Sequence, residues 1–394
     1  MISAFAMFII FGIRLSFAVF FAEFVTAEGW SNEASASIYS ASMLVFAFGS
    51  TPAGILLDRY GPRVVFTGGV LLLALGLFLS SRVNTVQELI ITYGIMGGSG
   101  LAVIGLGLIA ANISAWFPPA ARGRAIGIAF AGTGLGSLTF VPLCTWLIAQ
   151  LGWRNAYIVL GLICLLILAP MLILIMRRPP GTIQKRDFAG DSKTLIRNPL
   201  FWLLMLVSLT AIGPLRALSV HQIAYIESVG IDRQTVANYI GLAGFLTAGT
   251  FVMWGWVSDR FGRSIAFTLG ALCLGGAVGI LFLLPLVGSS HLLILYVILL
   301  ALGEGTRSSQ ATALASDVFQ NSGLGLVNGM VGAMFGLGAA FAPWLVGRFV
   351  DLTGSYATGF FIVLILISIS VMAFVGIILL NRRARKKGIP DDYS

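Results

Sequence analysis

Five side chains that carry charge or titrate stand where a bilayer offers no water. They are Arg14, Arg216, Arg307, Glu304 and His221, each inside a run apolar enough to cross a membrane. A cation at the bilayer centre costs about 2.5 to 3.5 kcal/mol on insertion scales, so three arginines facing lipid would cost roughly 8 to 10 kcal/mol. They must face a cavity or one another. Glu304 stands three residues before Arg307, a spacing at which the two can neutralise each other on one helix face. Alternatively, Arg307 is a cavity cation and Glu304 carries a proton. Arg14 and Arg216 have no acidic residue three or four positions to either side. Guanidinium groups so placed fit an anion, to which they offer charge-assisted, bidentate hydrogen bonds. His221 is either a hydrogen-bonded packing residue or a substrate contact and proton carrier, since imidazole titrates near neutral pH. Gln310, one turn beyond Arg307, offers a neutral hydrogen-bond partner. Pro214, two residues before Arg216, can break or kink its helix and open backbone groups to a cavity.

The elements that must position these groups follow from composition. Of the 394 residues 58% are hydrophobic and 10% charged, where a soluble domain carries about a quarter charged. Apolar segments are expected at 2–22, 33–57, 64–81, 86–116, 125–150, 154–176, 200–228, 234–257, 264–286, 291–318, 326–350 and 356–381. Helices are required, because backbone groups in lipid must be satisfied within the segment and the alternation of a barrel strand is absent. The chain is thus expected to be an all-α polytopic membrane protein with twelve transmembrane helices. The first run contains Arg14 and lacks a basic leader, so it is read as a helix and not as a cleaved signal. Cys144, Cys164 and Cys273 all lie in apolar runs and read as packed small residues.

The net charge of +9 is distributed by loop. Arg59 and Arg63, Arg122 and Arg124, the basic residues between Arg177 and Arg197, Arg260 and Arg263, and the tail from Arg382 to Lys387 share one side. Arg82, Arg154, Arg233 and Arg348 hold the other. The positive-inside rule then places both termini in the cytoplasm of a multi-pass protein of the cell's inner (plasma) membrane. The charge is a topology signal, and nucleic acid is excluded as a partner.

The stretch from Met176 to Asn198 is the one long polar break. It divides the chain into an N-terminal six-helix bundle (1–176), a cytoplasmic linker (177–199), a C-terminal six-helix bundle (200–381) and a basic tail (382–394). The halves repeat: GILLDRYGPRVVFTGG at Gly54 returns as GWVSDRFGRSIAFTLG at Gly255, and GTGLG at Gly132 faces MFGLG at Met334. The same offset puts Arg14 opposite Arg216. Two related bundles in a polytopic protein are the pattern of a secondary transporter.

The paired segments, with Gly54, Asp58, Arg59, Gly61 and Arg63 in one half and Asp259, Arg260, Gly262 and Arg263 in the other, resemble the G-x-x-x-D-R-x-G-R motif of the major facilitator superfamily. Within it, AEGWS (Ala27 to Ser31), WFPPAARGRAIGIAFAGTGLG (Trp116 to Gly136) and VHQIAYIESVG (Val220 to Gly230) resemble the monocarboxylate and oxalate/formate transporter group. The resemblance implies two pseudo-symmetric bundles rocking about a central cavity lined by helices 1, 4, 7 and 10. It also implies that the paired motifs form a gate, with Asp58 and Asp259 in a clasp between the bundles in one state; the alternative is that they only cap and orient the loop. Arg14, Arg216 and Arg307 would then share one aqueous site with His221 and Gln310, and Glu304 would be the proton site. The group's cations in helices 8 and 11 are missing from NYIGLAGFLTAGTFVMWGWV and NGMVGAMFGLGAAFAPWLVG, so the cationic site is displaced to other helices.

Other chemistry is thin. The glycines of MGGSGLAVIGLG lie in an apolar helix with no strand before them and read as helix packing. Without a phosphate-binding loop, no nucleotide is expected; nor is a cofactor, a metal or an enzymatic reaction. The expected function is secondary active transport of a small organic anion, foremost a monocarboxylate, with proton symport. Exchange of dicarboxylates or other organic anions is the alternative, followed by a drug exporter and a non-transporting sensor on the same fold.

Overall fold

The computed structural model describes residues 2–117, 119–177, 198–287, 291–319 and 324–386. Most of the linker expected at 177–199, and residues 387–394 of the expected tail, lie outside them. Among the described residues, ten helices are long and apolar enough to span a membrane, or eleven when Asn32–Ser50 and Pro52–Tyr60, bent by 51° at the Pro52 break, count as one. The longest, Ala125–Ile175, contains 51 residues and is two spans. Gly152, at φ 77°, has a conformation that no L-residue helix holds, and it turns the chain back there.

We number the spans α1 (Ile2–Thr26), α2 (Asn32–Tyr60), α3 (Pro62–Ser80), α4 (Val86–Ser114), α5 (119–151), α6 (153–175), α7 (Pro199–Ser228), α8 (Arg233–Phe261), α9 (Arg263–Val287), α10 (Leu292–Val318), α11 (Leu324–Thr353) and α12 (Tyr356–Lys386). Helix starts are set by side chains that accept orphan backbone N–H groups. Ser31 accepts from Ala34, Asn198 from Leu200 and Asp232 from Thr235, while Thr85 and Glu88 form a capping box.

Two expectations change. The charged links are far shorter than the hydropathy pattern indicates: α2 meets α3 at Gly61 alone and α8 meets α9 at Gly262 alone. Their φ values of 81° and 96° are why glycine stands at both places. Asp58 and Arg59 therefore lie on the last helical turn and Arg63 on the first turn of the next helix. The second change concerns Pro214, which does not break α7; the helix runs without interruption from Pro199 to Ser228. The sharp bend falls at Pro52 in α2 instead.

The two halves meet through α2 on α11, α5 on α8 and α1 on α7. Close approach comes from glycines. A Cβ at Gly132 would lie 2.2 Å from the Ala4 carbonyl and one at Gly136 2.3 Å from that of Phe8, so α5 packs backbone to backbone on α1. In the second half Gly338 does the same against Leu209 of α7, at 2.1 Å. A Cβ at Gly336 would lie 2.3 Å from that of Ala47 of α2, across the bundle interface.

Candidate functional site

Between the halves lies a cavity of about 330 Å³. Phe11 and Arg14 of α1, Met43 and Phe46 of α2, Ser137 of α5, Arg216, Ser219 and Gln222 of α7, Glu304 and Ser308 of α10, and residues of α8 and α11 line it. Arg14 and Arg216 thus share one chamber, at equivalent positions of the two halves.

Arg14 makes no ion pair among the described residues. Its Nη2 donates to the thioether of Met43 at 3.1 Å, and its guanidinium rests over Phe46 at 4.6 Å and Phe11 at 5.4 Å. Two ring faces and a weak sulfur acceptor hold the cation in position without neutralising it, leaving donors for another group. Arg216 is different: its Nη2 donates to Glu304 Oε1 at 2.8 Å, with both side chains partly open to the cavity. Among the described lining residues these are the three charged groups, giving one net positive charge.

Four residues stand elsewhere than expected. Glu304 pairs across helices with Arg216, not along its own helix with Arg307. Arg307 is fully buried and lies off the cavity wall, with Nη1 donating to Ser370 of α12 at 2.6 Å and its plane over Phe267 of α9 at 4.9 Å. Its Nε and Nη2 have no hydrogen-bond partner. Gln310 also leaves the wall; its Oε1 accepts from Ser258 of α8 at 2.8 Å. For Gln310 the reason is helical phase, at about 100° per residue. Leu300, Glu304 and Ser308 share the cavity face, whereas Gln310 points well away from it. On α7 the cavity face is centred near Ser219, with Leu215, Arg216 and Gln222 within about 60° of it, whereas His221 lies about 200° away. His221 is fully buried, its Nε2 2.9 Å from the Pro343 carbonyl of α11 and its ring edge-on to Phe21 of α1 at 4.6 Å. Ser219 and Gln222 are not expected from the sequence: Ser219 lies one turn beyond Arg216, and Gln222 one turn beyond Ser219.

Every described hydrogen bond or ion pair joining the halves lies toward the face opposite the termini. The carboxylate of Asp351, at the end of α11, accepts from the Asn32 and Glu33 backbone N–H groups at 2.9 and 2.7 Å and so caps the start of α2 from the other half. Arg348 reaches Glu33 at 3.1 Å, Tyr356 donates to Asn32 at 2.8 Å, and Arg233 binds Glu23 and Thr26. Among the described residues no hydrogen bond or ion pair joins the halves on the face bearing the termini.

On the terminal face, Arg63 Nε donates to the Met176 carbonyl at 3.0 Å, and Arg263 forms a two-point pair with Asp317. Both contacts stay within one half. Asp58 and Asp259 are exposed and accept no hydrogen bond among the described residues. Arg260 lies over the rings of Trp256 and Phe261, Arg59 over Tyr60, and a Cβ at Gly54 would stand at ordinary contact distance from Leu108. The AEGWS segment has a structural use. Glu28 accepts from Trp153 Nε1 at 2.7 Å and from Arg154 at 3.0 Å, tying the first turn to the start of α6. The Trp153 bond first, then Arg154, holds its carboxyl below the usual carboxylate range.

Paired bundles around a cationic cavity are the architecture of a membrane carrier. The chain belongs to the Major Facilitator Superfamily, whose profile matches residues 3–306 and 223–392. Monocarboxylate transporter 13 of Rattus norvegicus is 30% identical over 365 residues, covering 89% of this chain and 82% of its own. The oxalate:formate antiporter of Oxalobacter formigenes is 29% identical over 259 residues, 62% of this chain and 60% of its own length. Among solved structures, the nucleoside transporter NupG superposes with a TM-score of 0.80 at 14% identity, over 95% of this chain and 98% of its own, which establishes the fold alone.

Proposed function

We propose that this protein carries a small organic anion, a monocarboxylate foremost, across the membrane by alternating access, with proton symport. The observation that carries the reading is Arg14, a guanidinium on the wall of the chamber with no carboxylate among the described residues. A carboxylate seated there completes a charge-assisted pair, and Arg216 stands on the same chamber to take its second oxygen. Glu304 holds Arg216 in a 2.8 Å pair. A proton on Glu304 dissolves that pair and frees Arg216, so anion and proton together leave the net charge of the chamber unchanged. The basic loops put the terminal face in the cytoplasm of a plasma-membrane protein. The conformation described is then the inward-open one, latched on the outside by Asp351, Arg348 and Arg233, with the Asp58 and Asp259 clasp unfastened. The relatives named for monocarboxylate and for oxalate and formate support the anion class.

A thermal-shift screen of small carboxylates, neutral sugars and amines across pH tests this, because a ligand that binds only the folded state raises its stability. Stabilisation by carboxylates that strengthens as pH falls, and loses that pH dependence in Glu304→Gln, is expected. Stabilisation confined to sugars or amines would overturn the proposal.

A further inference from the structure

Pro142 and Pro343 stand inside α5 and α11, the equivalent helices of the two halves, six residues beyond Gly136 and five beyond Gly338. A proline has no N–H, so the carbonyl four residues before it loses its helical donor: that of Leu138 in α5 and of Ala339 in α11. Both helices nevertheless run on through their prolines. Each weakened turn lies against the opposite half. A Cβ at Gly241 of α8 would stand 3.3 Å from the Leu138 carbonyl oxygen, and Gln234 of α8 donates to the Pro142 carbonyl at 3.3 Å. On α11, Ser40 of α2 donates to the Ala340 carbonyl at 2.5 Å, and the Pro343 carbonyl meets His221, whose ring rests on Phe21 of α1. Glycines seat the part of each helix before its proline: Gly132 and Gly136 set α5 on the α1 backbone, and Gly338 sets α11 on that of α7. Beyond the prolines, α5 makes no hydrogen bond to the other half among the described residues, while α11 meets the start of α2 through Gly347, Arg348 and Asp351.

We infer that α5 and α11 hinge at these prolines: when the face opposite the termini opens, the tips 143–151 and 344–353 bend away from α8 and α2 while the stems before them stay seated. This rests on the proposal of alternating access and says how the halves part. A bend at either proline breaks one helical hydrogen bond fewer than a bend elsewhere, so these turns yield first. Across the interface, a Cβ at Gly244 would overlap Ser137 and one at Gly336 would overlap Ala47, and these close contacts between the stems are the pivot. Bending α11 there lifts Arg348 and Asp351 off α2 together, since both lie on its tip. The facing helices offer no matching hinge: α8 contains no proline, and that of α2, Pro52, lies toward the termini.

The test is distance measurement between paired spin labels on the full-length chain in nanodiscs, with Cys144, Cys164 and Cys273 replaced by alanine. Labels go on cysteines placed at exposed positions. Leu352 with Leu286, and Leu151 with Leu79, report within one half; Leu352 with Leu151 reports between the halves. An Asp351→Ala, Arg233→Ala background weakens the latch and populates the open state. A tip of about ten residues is about 15 Å long, so a bend of about 20° displaces its end by about 5 Å. The expected result is a second population, shifted by about that distance, in all three pairs. Adding Pro343→Ala, which restores the missing N–H, should remove it from the Leu352 and Leu286 pair, and Pro142→Ala from the Leu151 and Leu79 pair. A shift between the halves with both distances within the halves fixed means that the bundles rotate as rigid bodies; it overturns the hinge and leaves alternating access standing. No shift in any pair overturns both.

Discussion

Arg14, Arg216 and Arg307 look alike in sequence, and their surroundings separate them. The first faces the cavity between two phenylalanine rings, the second faces it in a 2.8 Å pair, and the third is buried behind the wall. A lone guanidinium within a packed helix interface, with two nitrogens unmatched, costs more than it contributes. Arg307→Met should therefore keep or raise the melting temperature and leave carboxylate affinity within about twofold, as measured by thermal shift and equilibrium binding on one preparation. A tenfold loss of affinity would return Arg307 to the site. The sequence shows plainly that these charges cannot face lipid. Which of them share a chamber is less plain, because Glu304 has two arginines in reach and only the packing of α7 beside α10 selects Arg216. His221 and Gln310 attract notice by chemistry and lose their place by phase; Ser219 and Gln222 do the reverse.

At the scale of elements, most of the architecture is legible: long apolar runs, charged links, and a repeat that puts like helices in like places. What hydropathy misses is where helices end when both neighbours of a turn are polar. The Gly61 and Gly262 turns are one residue long because the amphipathic ends of α2 and α8 remain helical past the apolar run. The glycine motif near Gly132 is visible in sequence, but its use is not. It sets α5 against the backbone of α1, and α1 carries Arg14. Gly136→Val should accordingly lower the melting temperature and weaken carboxylate binding together, because a side chain there must push α1 away from the Phe8 carbonyl. The overpacking cost is about 1 to 3 kcal/mol, which a thermal melt resolves. Unchanged stability would mean that α1 and α5 do not approach as described.

For the whole molecule, the closed face is held asymmetrically. Between α2 and α11 stand a helix cap supplied across the interface by Asp351 and the Arg348–Glu33 pair, whereas between α5 and α8, among the described residues, only Gln234 reaches across, to the Pro142 carbonyl at 3.3 Å. Asp351→Ala removes three acceptor contacts to Asn32 and Glu33 at once. It should shift the carrier toward opening on that face, read as faster labelling of a cysteine placed at Ser40, which now donates to Ala340 across the interface. Labelling at the unaltered rate would show that the latch does not set the equilibrium. None of these cross-half bonds is foreseeable from either half alone, since the partners lie 92 to 319 residues apart in the chain.

The central claim is that Arg14 holds a substrate anion in a chamber reached alternately from the two sides. Counterflow of a labelled monocarboxylate into proteoliposomes, comparing the unaltered chain with Arg14→Gln at matched amounts of folded protein, tests it most directly. The account predicts saturable counterflow whose half-saturating concentration rises about tenfold or more in the variant, the loss expected for one charge-assisted hydrogen-bonded contact. Equal half-saturation in a well-folded Arg14→Gln protein would contradict it.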